Sequence, residues 1–251
     1  MKSEGNFSFA QSLLTNYYLE SPENITATSY DSADIVHAKY PDAHTILENL
    51  TESGCAVLHS VDGTNLPKVK ALKGKRFDFI VFNFPHIGQG IKDQERNIQA
   101  NQAMLAQFFQ SAISFLNPSG EIHVSLKDSY PYTAWNIKLL ASRAEMSLRQ
   151  RVPFLPEIMY PGYVHRRTIG FDDVLSSDAN ADLKRGPGIV DDHVVNCFTF
   201  CFWRTEMARK QATGKNKNGS NSTKRKNFDS NDDSSGDNDD SDKNSGNDSD
   251  Q

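Results

Sequence analysis

The chain has few cysteines and tryptophans, three Cys and two Trp among 251 residues. Cys55, Cys197 and Cys201 are odd in number and lack framework spacing, which argues against a disulfide scaffold and for reduced, intracellular thiols. Two of them fall in Val194–Trp203, an apolar run that reads as a buried strand. They are expected as core residues, because a metal pair would want more ligands nearby. No bound metal is expected. No apolar run is long enough to span a bilayer, and the first residues carry no signal-peptide pattern, so no membrane association is expected. The last fifth of the chain lacks apolar residues almost entirely, which excludes a core there.

What remains, residues 1–204, is enough for one α/β domain. It is organised around Phe77-Asp78-Phe79-Ile80-Val81-Phe82-Asn83-Phe84-Pro85-His86-Ile87-Gly88. A short, nearly all-apolar run of this kind predicts a strand buried on both faces, as in a parallel sheet covered by helices. Pro85 ends it, since proline cannot continue a central ladder. Ligands of open α/β sheets bind beyond the carboxyl ends of strands, where Asn83 and His86 emerge.

The segments on either side fit that frame. Gly5 lies in a polar turn before a helix from Phe9 to about Tyr18, capped by Asn6 or Ser8. Asn24–Asp31 and Cys55–Asp62 read as strands that each end in an acid. Asp31 follows Gly5 by 26 residues, a spacing suited to an acid that accepts hydrogen bonds from a ribose. Pro41–Ser53 and Glu95–Leu116 read as amphipathic helices, the second with Ile98, Leu105, Phe108, Phe109 and Ala112 on its apolar stripe. Asn117–Gly120 reads as a turn, Glu121–Lys127 as a strand, Pro131–Ala144 as a segment leading into a helix, and Met146–Phe154 as a further strand. The alternation predicts a mostly parallel sheet with helices on both faces and a late antiparallel pair at one edge.

Taken in order, Glu4-Gly5-Asn6-Phe7-Ser8-Phe9, Ser29-Tyr30-Asp31, Val61-Asp62-Gly63-Thr64, the Phe77–Gly88 block and Tyr160-Pro161-Gly162-Tyr163 with the basic run behind it resemble one family. It is the eukaryotic Rossmann-like family of the type of base methyltransferase of 25S rRNA 5, which includes a large-subunit ribosomal RNA uridine-N3-methyltransferase. The resemblance covers residues 3 to about 204. It implies a class I methyltransferase sheet and S-adenosyl-L-methionine as cofactor. Gly5 and Asn6 would lie beneath the methionine part, Asp31 would hold the ribose hydroxyls, and Asp62 would face the adenine amino group. Residues 83–86 would face the substrate base. Ribosomal RNA within a pre-ribosome would be the partner, the protein would act as a monomer, and its place would be the nucleus and nucleolus. The family normally has an apolar strand directly before the Gly turn, whereas only Met1 and Lys2 precede Ser3 here. The expectation is therefore an N-terminally truncated domain lacking its first strand, with a catalytically inactive RNA-binding or ribosome-assembly protein as the alternative function.

The chemistry implied by that resemblance makes its own demands. Methyl transfer from a sulfonium is an in-line displacement that needs alignment rather than a covalent nucleophile. N3 of uracil carries a proton and attacks poorly until that proton leaves, so a base or an anion-stabilising donor is required. His86 is the candidate base, Asn83 the candidate base-edge contact, and Lys127 a candidate for stabilising negative charge. N3 lies on the Watson–Crick edge, so the target nucleotide must be unpaired or flipped and stacked on aromatics such as Phe84. Arg149, Arg151, His165, Arg166 and Arg167 are candidate RNA contacts.

Residues 205–251 are expected to be disordered, basic first and then acidic. Seven Lys or Arg against one Glu occupy 205–226, and nine Asp against one Lys occupy 227–251. Arg209-Lys210 and Lys224-Arg225-Lys226, thirteen residues apart, fit a bipartite nuclear import signal.

Overall fold

The structure, a computed structural model, describes residues 5–166, 180, 196–207 and 210. The expectations placed on the two tail segments, on Ser3 and Glu4, and on Arg167 lie outside the described residues.

Helices and strands alternate as the sequence predicts. Helix α1 is Ser8–Tyr17, strand β1 Thr26–Thr28, helix α2 Ala33–Lys39, helix α3 Ala43–Glu52, strand β2 Ala56–Leu58 and strand β3 Phe77–Asn83. Then follow α4 Gln94–Ala112, β4 Leu116–Lys127, α5 Ile137–Arg143, β5 Met146–Pro153, α6 Pro156–Met159 and β6 Cys197–Arg204. Helix α4 starts where Asp93 accepts from the Arg96 amide at 2.8 Å, with Glu95 in the first turn complementing the helix dipole. Helix α2 was not anticipated. It buries only Val36, so it shows almost no apolar period, although Ser32 caps it by accepting from the Ile35 amide.

β1 and β2 pair in parallel as a two-stranded sheet, and β3, β4, β6 and β5 form a second sheet in that order. β3 and β4 are parallel, and the late strands are antiparallel, with β6 inserted between β4 and β5. This is the α/β class expected. The 117–120 turn is instead absorbed into β4. Phe77 pairs with Leu116 and Phe79 with Glu121, so β4 carries extra residues at that point and the ladder resumes beyond them. Gly120 is pressed there against the Phe77 and Asp78 carbonyls, where a side chain would not fit.

The largest core cluster packs α4 and α5 on the four-stranded sheet, through Phe82, Phe108, Phe109, Ile122, Val124 and Phe202. A second cluster packs α1, α2 and α3 around β1, through Phe7, Leu14, Ala27, Val36 and Leu50. The expected two-sided burial of β3 is not found. Phe79 is 52% exposed and Val81 38%, while Phe82 is buried. Among the described residues β3 pairs only with β4, so it is an edge strand, and its apolar composition reflects a position the described chain leaves half-covered. All three cysteines are free and buried, as core residues.

Candidate functional site

The turn ahead of α1 is built on short-range necessities. Phe7 adopts φ 64° with its side chain fully buried. The Asn6 side chain is buried too. Its Oδ1 accepts from the Ser8 amide at 3.2 Å, and its Nδ2 donates to Asp42 Oδ2 at 2.8 Å. Arg166 Nη2 donates to the same Asp42 oxygen at 2.8 Å. Ser8 Oγ donates to the Val164 carbonyl and accepts from the Val164 amide, both at 3.0 Å. The turn is thereby clamped on one side to the start of α3 and on the other to residues 164–166. A Cβ on Gly5 would stand 2.9 Å from Arg166 Cβ and 3.1 Å from Tyr40 Cζ. Gly5→Ala should therefore lower stability by about 1–3 kcal/mol through overpacking. A thermal melt within 1 °C of wild type would contradict this.

Burial, with Asp31 and Asp42 nearby, pushes the Tyr40 phenol up to about 12, against a partial offset from Arg166. Burial likewise pushes the Cys197 thiol up to about 11. Both are groups whose folded value exceeds the unfolded one. Their contribution is therefore complete below pH 9 and is lost as pH rises through 9–12. The unfolding midpoint should fall steeply over that interval, and Tyr40→Phe should flatten the part above pH 10. Identical alkaline profiles for the two proteins would rule out this role for Tyr40.

The strands stop short of the acids expected to end them, Asp31 standing three residues past β1 and Asp62 four past β2, and each acid is engaged. Asp31 pairs with Lys39 at 2.8 Å, and its carbonyl accepts from the Ser60 amide, bringing the ends of β1 and β2 together. Asp62 accepts from the Thr64 amide and hydroxyl at 2.9 and 2.7 Å. Burial alone would raise its pKa, and these hydrogen bonds bring it below the ordinary value.

Between β1 and β3 lies a cleft of about 440 Å³, lined by Gly5, Asn6, Asn83, Phe84, His165 and Arg166 among others. The geometry thus gathers the turn, the end of β3 and residues 163–166. Phe84, at φ 50°, meets Phe154 edge-on and His165 at a ring distance of 4.8 Å. His165 Nδ1 lies 3.0 Å from the Tyr163 hydroxyl, and its backbone amide donates to Asn180 Oδ1.

The other candidates stand apart from this cleft. His86 Nδ1 accepts from the Gly88 amide at 3.0 Å, and its ring lies beside Trp135. Lys127 stands opposite Cys197 in the ladder. Arg149 is paired with Glu121 and lies over Trp203, and Arg151 pairs with Asp128 at 2.7 Å and lies over Phe198 at 3.5 Å. Both arginines are on β5, at the far edge of the sheet from β3. Arg166, by contrast, lines the cleft, with its side chain 10% exposed and turned to Asp42. Glu121, His123 and Cys201 bring their ligand atoms within 4.8 Å of one another, but both Glu121 oxygens are already engaged, by Arg149 and His123. Asp42, Tyr40, Ser125 and Thr199 escaped sequence reasoning. Asp42 looks like an ordinary residue ahead of a helix, and Ser125 and Thr199 look like the polar phase of alternating strands.

Residues 3–167 match the family described as rRNA (uridine-N3-)-methyltransferase BTM5-like. The chain belongs to this BMT5-like family. It is similar to the 25S rRNA (uridine(2634)-N(3))-methyltransferase of Saccharomyces cerevisiae, 33% identical over 237 residues, covering 72% of this chain and 69% of the yeast protein. It is also similar to heavy metal-associated isoprenylated plant protein 41 of Arabidopsis thaliana, 41% identical over 168 residues. That match covers 66% of this chain but only 32% of the plant protein, so the chain spans about a third of that relative. Among solved structures, TrmN from Thermus thermophilus matches with a TM-score of 0.43 at 16% identity, over 80% of this chain and 41% of that one. The glycopeptide N-methyltransferase MtfA complexed with S-adenosyl-L-methionine matches with a TM-score of 0.43 at 11% identity, over 78% of this chain and 79% of that one.

Proposed function

We propose that this protein is an S-adenosyl-L-methionine-dependent methyltransferase acting on N3 of a uridine in large-subunit ribosomal RNA. In this reading it works as a monomer on pre-ribosomes in the nucleus and nucleolus. The observation that carries the proposal is the pairing of BMT5-like membership with one cleft that presents Asn83, Phe84 and His165 beside the Gly5 turn.

The residues present suit the cofactor. Gly5 and Asn6 line the cleft, and Asp31 and Asp62 stand beyond its lining, past the ends of β1 and β2. Gly5 keeps the turn free of a side chain, and Asp42 Oδ1 is buried with no hydrogen-bond partner among the described residues. Gly5 and Asn6 would hold the methionine part, and Asp31 and Asp62 the ribose and adenine. When bound, the cofactor supplies an electrophilic methyl group on a sulfonium. The chain's task is to hold a flipped uracil in line, exclude water and handle the N3 proton. Phe84, braced edge-on by Phe154, offers a face for stacking, and Asn83 offers a hydrogen bond to the base edge.

The cleft runs along β3 from Arg76 to Phe84 and along β1 from Asn24 to Thr28. A further strand between them would join the two sheets.

The test is calorimetric titration with S-adenosyl-L-methionine, followed by tritiated methyl transfer to ribosomal RNA from cells lacking the gene. Nuclease digestion and mass spectrometry then identify the product nucleoside. Saturable binding and labelled 3-methyluridine are expected, with Asp31→Ala weakening binding at least tenfold. RNA binding without cofactor binding or labelling would instead fit a scaffolding protein.

A further inference from the structure

The end of β3 belongs to a row of hydrogen bonds that crosses three strands. Asn83 on β3, Ser125 on β4 and Thr199 on β6 are register partners, so their side chains emerge on one face of the sheet. Ser125 Oγ lies 2.7 Å from Asn83 Oδ1 and 2.9 Å from Thr199 Oγ1. Ser125 is fully buried and Thr199 nearly so.

Proton counting gives this row a direction. Each hydroxyl has a single proton to donate. If Ser125 donates to Asn83 Oδ1, Thr199 must donate to Ser125, and both buried hydroxyl protons are satisfied. If the row ran the other way, the Asn83 amino group would donate to Ser125 and Ser125 to Thr199. The Thr199 proton would then be buried with no acceptor in the row, which carries the full desolvation penalty of an unmade bond. The first direction is therefore favoured. It commits the Asn83 oxygen to Ser125 and leaves the Asn83 amino group, which makes no hydrogen bond among the described residues, for the cleft that Asn83 lines.

We infer that Ser125 and Thr199 are positioning residues that set base selectivity by fixing which end of the Asn83 amide faces the substrate. This inference rests on the proposed uridine reading and deepens it. Uracil presents two carbonyl acceptors flanking N3. An amino donor aimed at one of them binds uracil and stabilises the charge that builds on that oxygen as the N3 proton leaves. Cytosine presents an exocyclic amine in place of one carbonyl, and a fixed N–H donor there meets another donor. A site built to hydrogen-bond one group rejects the analogue that lacks it far more strongly than an apolar pocket does.

The experiment measures binding of single-stranded nine-nucleotide RNAs, one carrying only uridine and one only cytidine at its central three positions, with S-adenosylhomocysteine present. Fluorescence anisotropy is used on wild type, Thr199→Val, Ser125→Ala and Asn83→Asp. Wild type should prefer the uridine RNA at least tenfold. Thr199→Val removes only the terminal donor, and its preference should fall below threefold with the melting temperature nearly unchanged. Ser125→Ala should lose the preference likewise. Asn83→Asp presents only acceptors and should reverse it. A merely structural role for the row would weaken both RNAs together and leave their ratio intact, and that result overturns the inference. So does equal binding, or no binding, of both RNAs by wild type. Binding of S-adenosylhomocysteine in the same samples reports separately on the methyltransferase reading, which stands or falls on that titration rather than on the ratio.

Discussion

Fusing an extended apolar segment of about six residues ahead of the Gly5 turn should raise the unfolding midpoint by on the order of 10 °C. The expectation follows from the two sheets. β1 and β3 each have a ladder on one side only among the described residues, and the cleft runs along both of their open edges. A strand placed there would satisfy backbone groups on both sides and cover Phe79 and Val81, which now stand 52% and 38% exposed. At roughly 25 cal/mol per Å² of apolar surface, covering those two side chains and the apolar residues of the added strand would stabilise the fold by a few kcal/mol. Each kcal/mol moves the midpoint by about 2–4 °C in a chain of this size. The added strand would also abut the Gly5 turn, so cofactor affinity should rise with stability. The checks are a thermal melt and amide hydrogen exchange along Phe77–Asn83. If exchange in β3 stays fast and the midpoint stays put, the cleft does not receive a strand. A control segment of the same length, rich in Gly and Ser, separates strand pairing from mere tethering.

The same strand shows how far the sequence carries. Its apolar run correctly announced a strand that stops just ahead of Pro85, because β propensity and the break at proline are local. The run also announced burial on both faces, and that failed because burial depends on neighbours that lie elsewhere in the chain. The acids were legible in the same sense. Asp31 and Asp62 follow β1 and β2 by three and four residues, and spacing could not show that Lys39 and Thr64 already engage them. The arginines illustrate the opposite limit. A basic residue reads as a phosphate ligand until a tertiary partner is known, and Arg149, Arg151 and Arg166 each have a carboxylate. Asp42 was invisible because its importance lies in two donors from distant segments, Asn6 and Arg166, converging on one oxygen.

His165→Ala should slow methyl transfer by about 10²-fold or more, whereas His86→Ala should stay within about tenfold of wild type. The sequence favoured His86 because it follows the strand end directly. Its geometry speaks against the role of base. Nδ1 accepts from the Gly88 amide, so in the neutral ring the proton is on Nε2, and that edge can only donate. His165 instead lines the cleft with Asn83 and Phe84. Its Nδ1 lies 3.0 Å from the Tyr163 hydroxyl, and when Nδ1–H donates to that oxygen, Nε2 is the unprotonated nitrogen of the neutral ring. Asn180 holds the segment in place from both sides, accepting from the His165 amide and donating to the Tyr163 carbonyl. Tyr163→Phe should then cost a smaller factor than His165→Ala, because it loosens the tautomer without removing the ring. Single-turnover rates, measured at saturating RNA and cofactor, separate these effects from binding. Added imidazole should restore part of the His165→Ala rate, since a diffusible base can replace a missing proton acceptor but cannot repair a misfolded wall. If imidazole does nothing and His86→Ala proves the slower enzyme, the proton leaves by way of the 86–88 turn, and His165 serves only to brace Phe84.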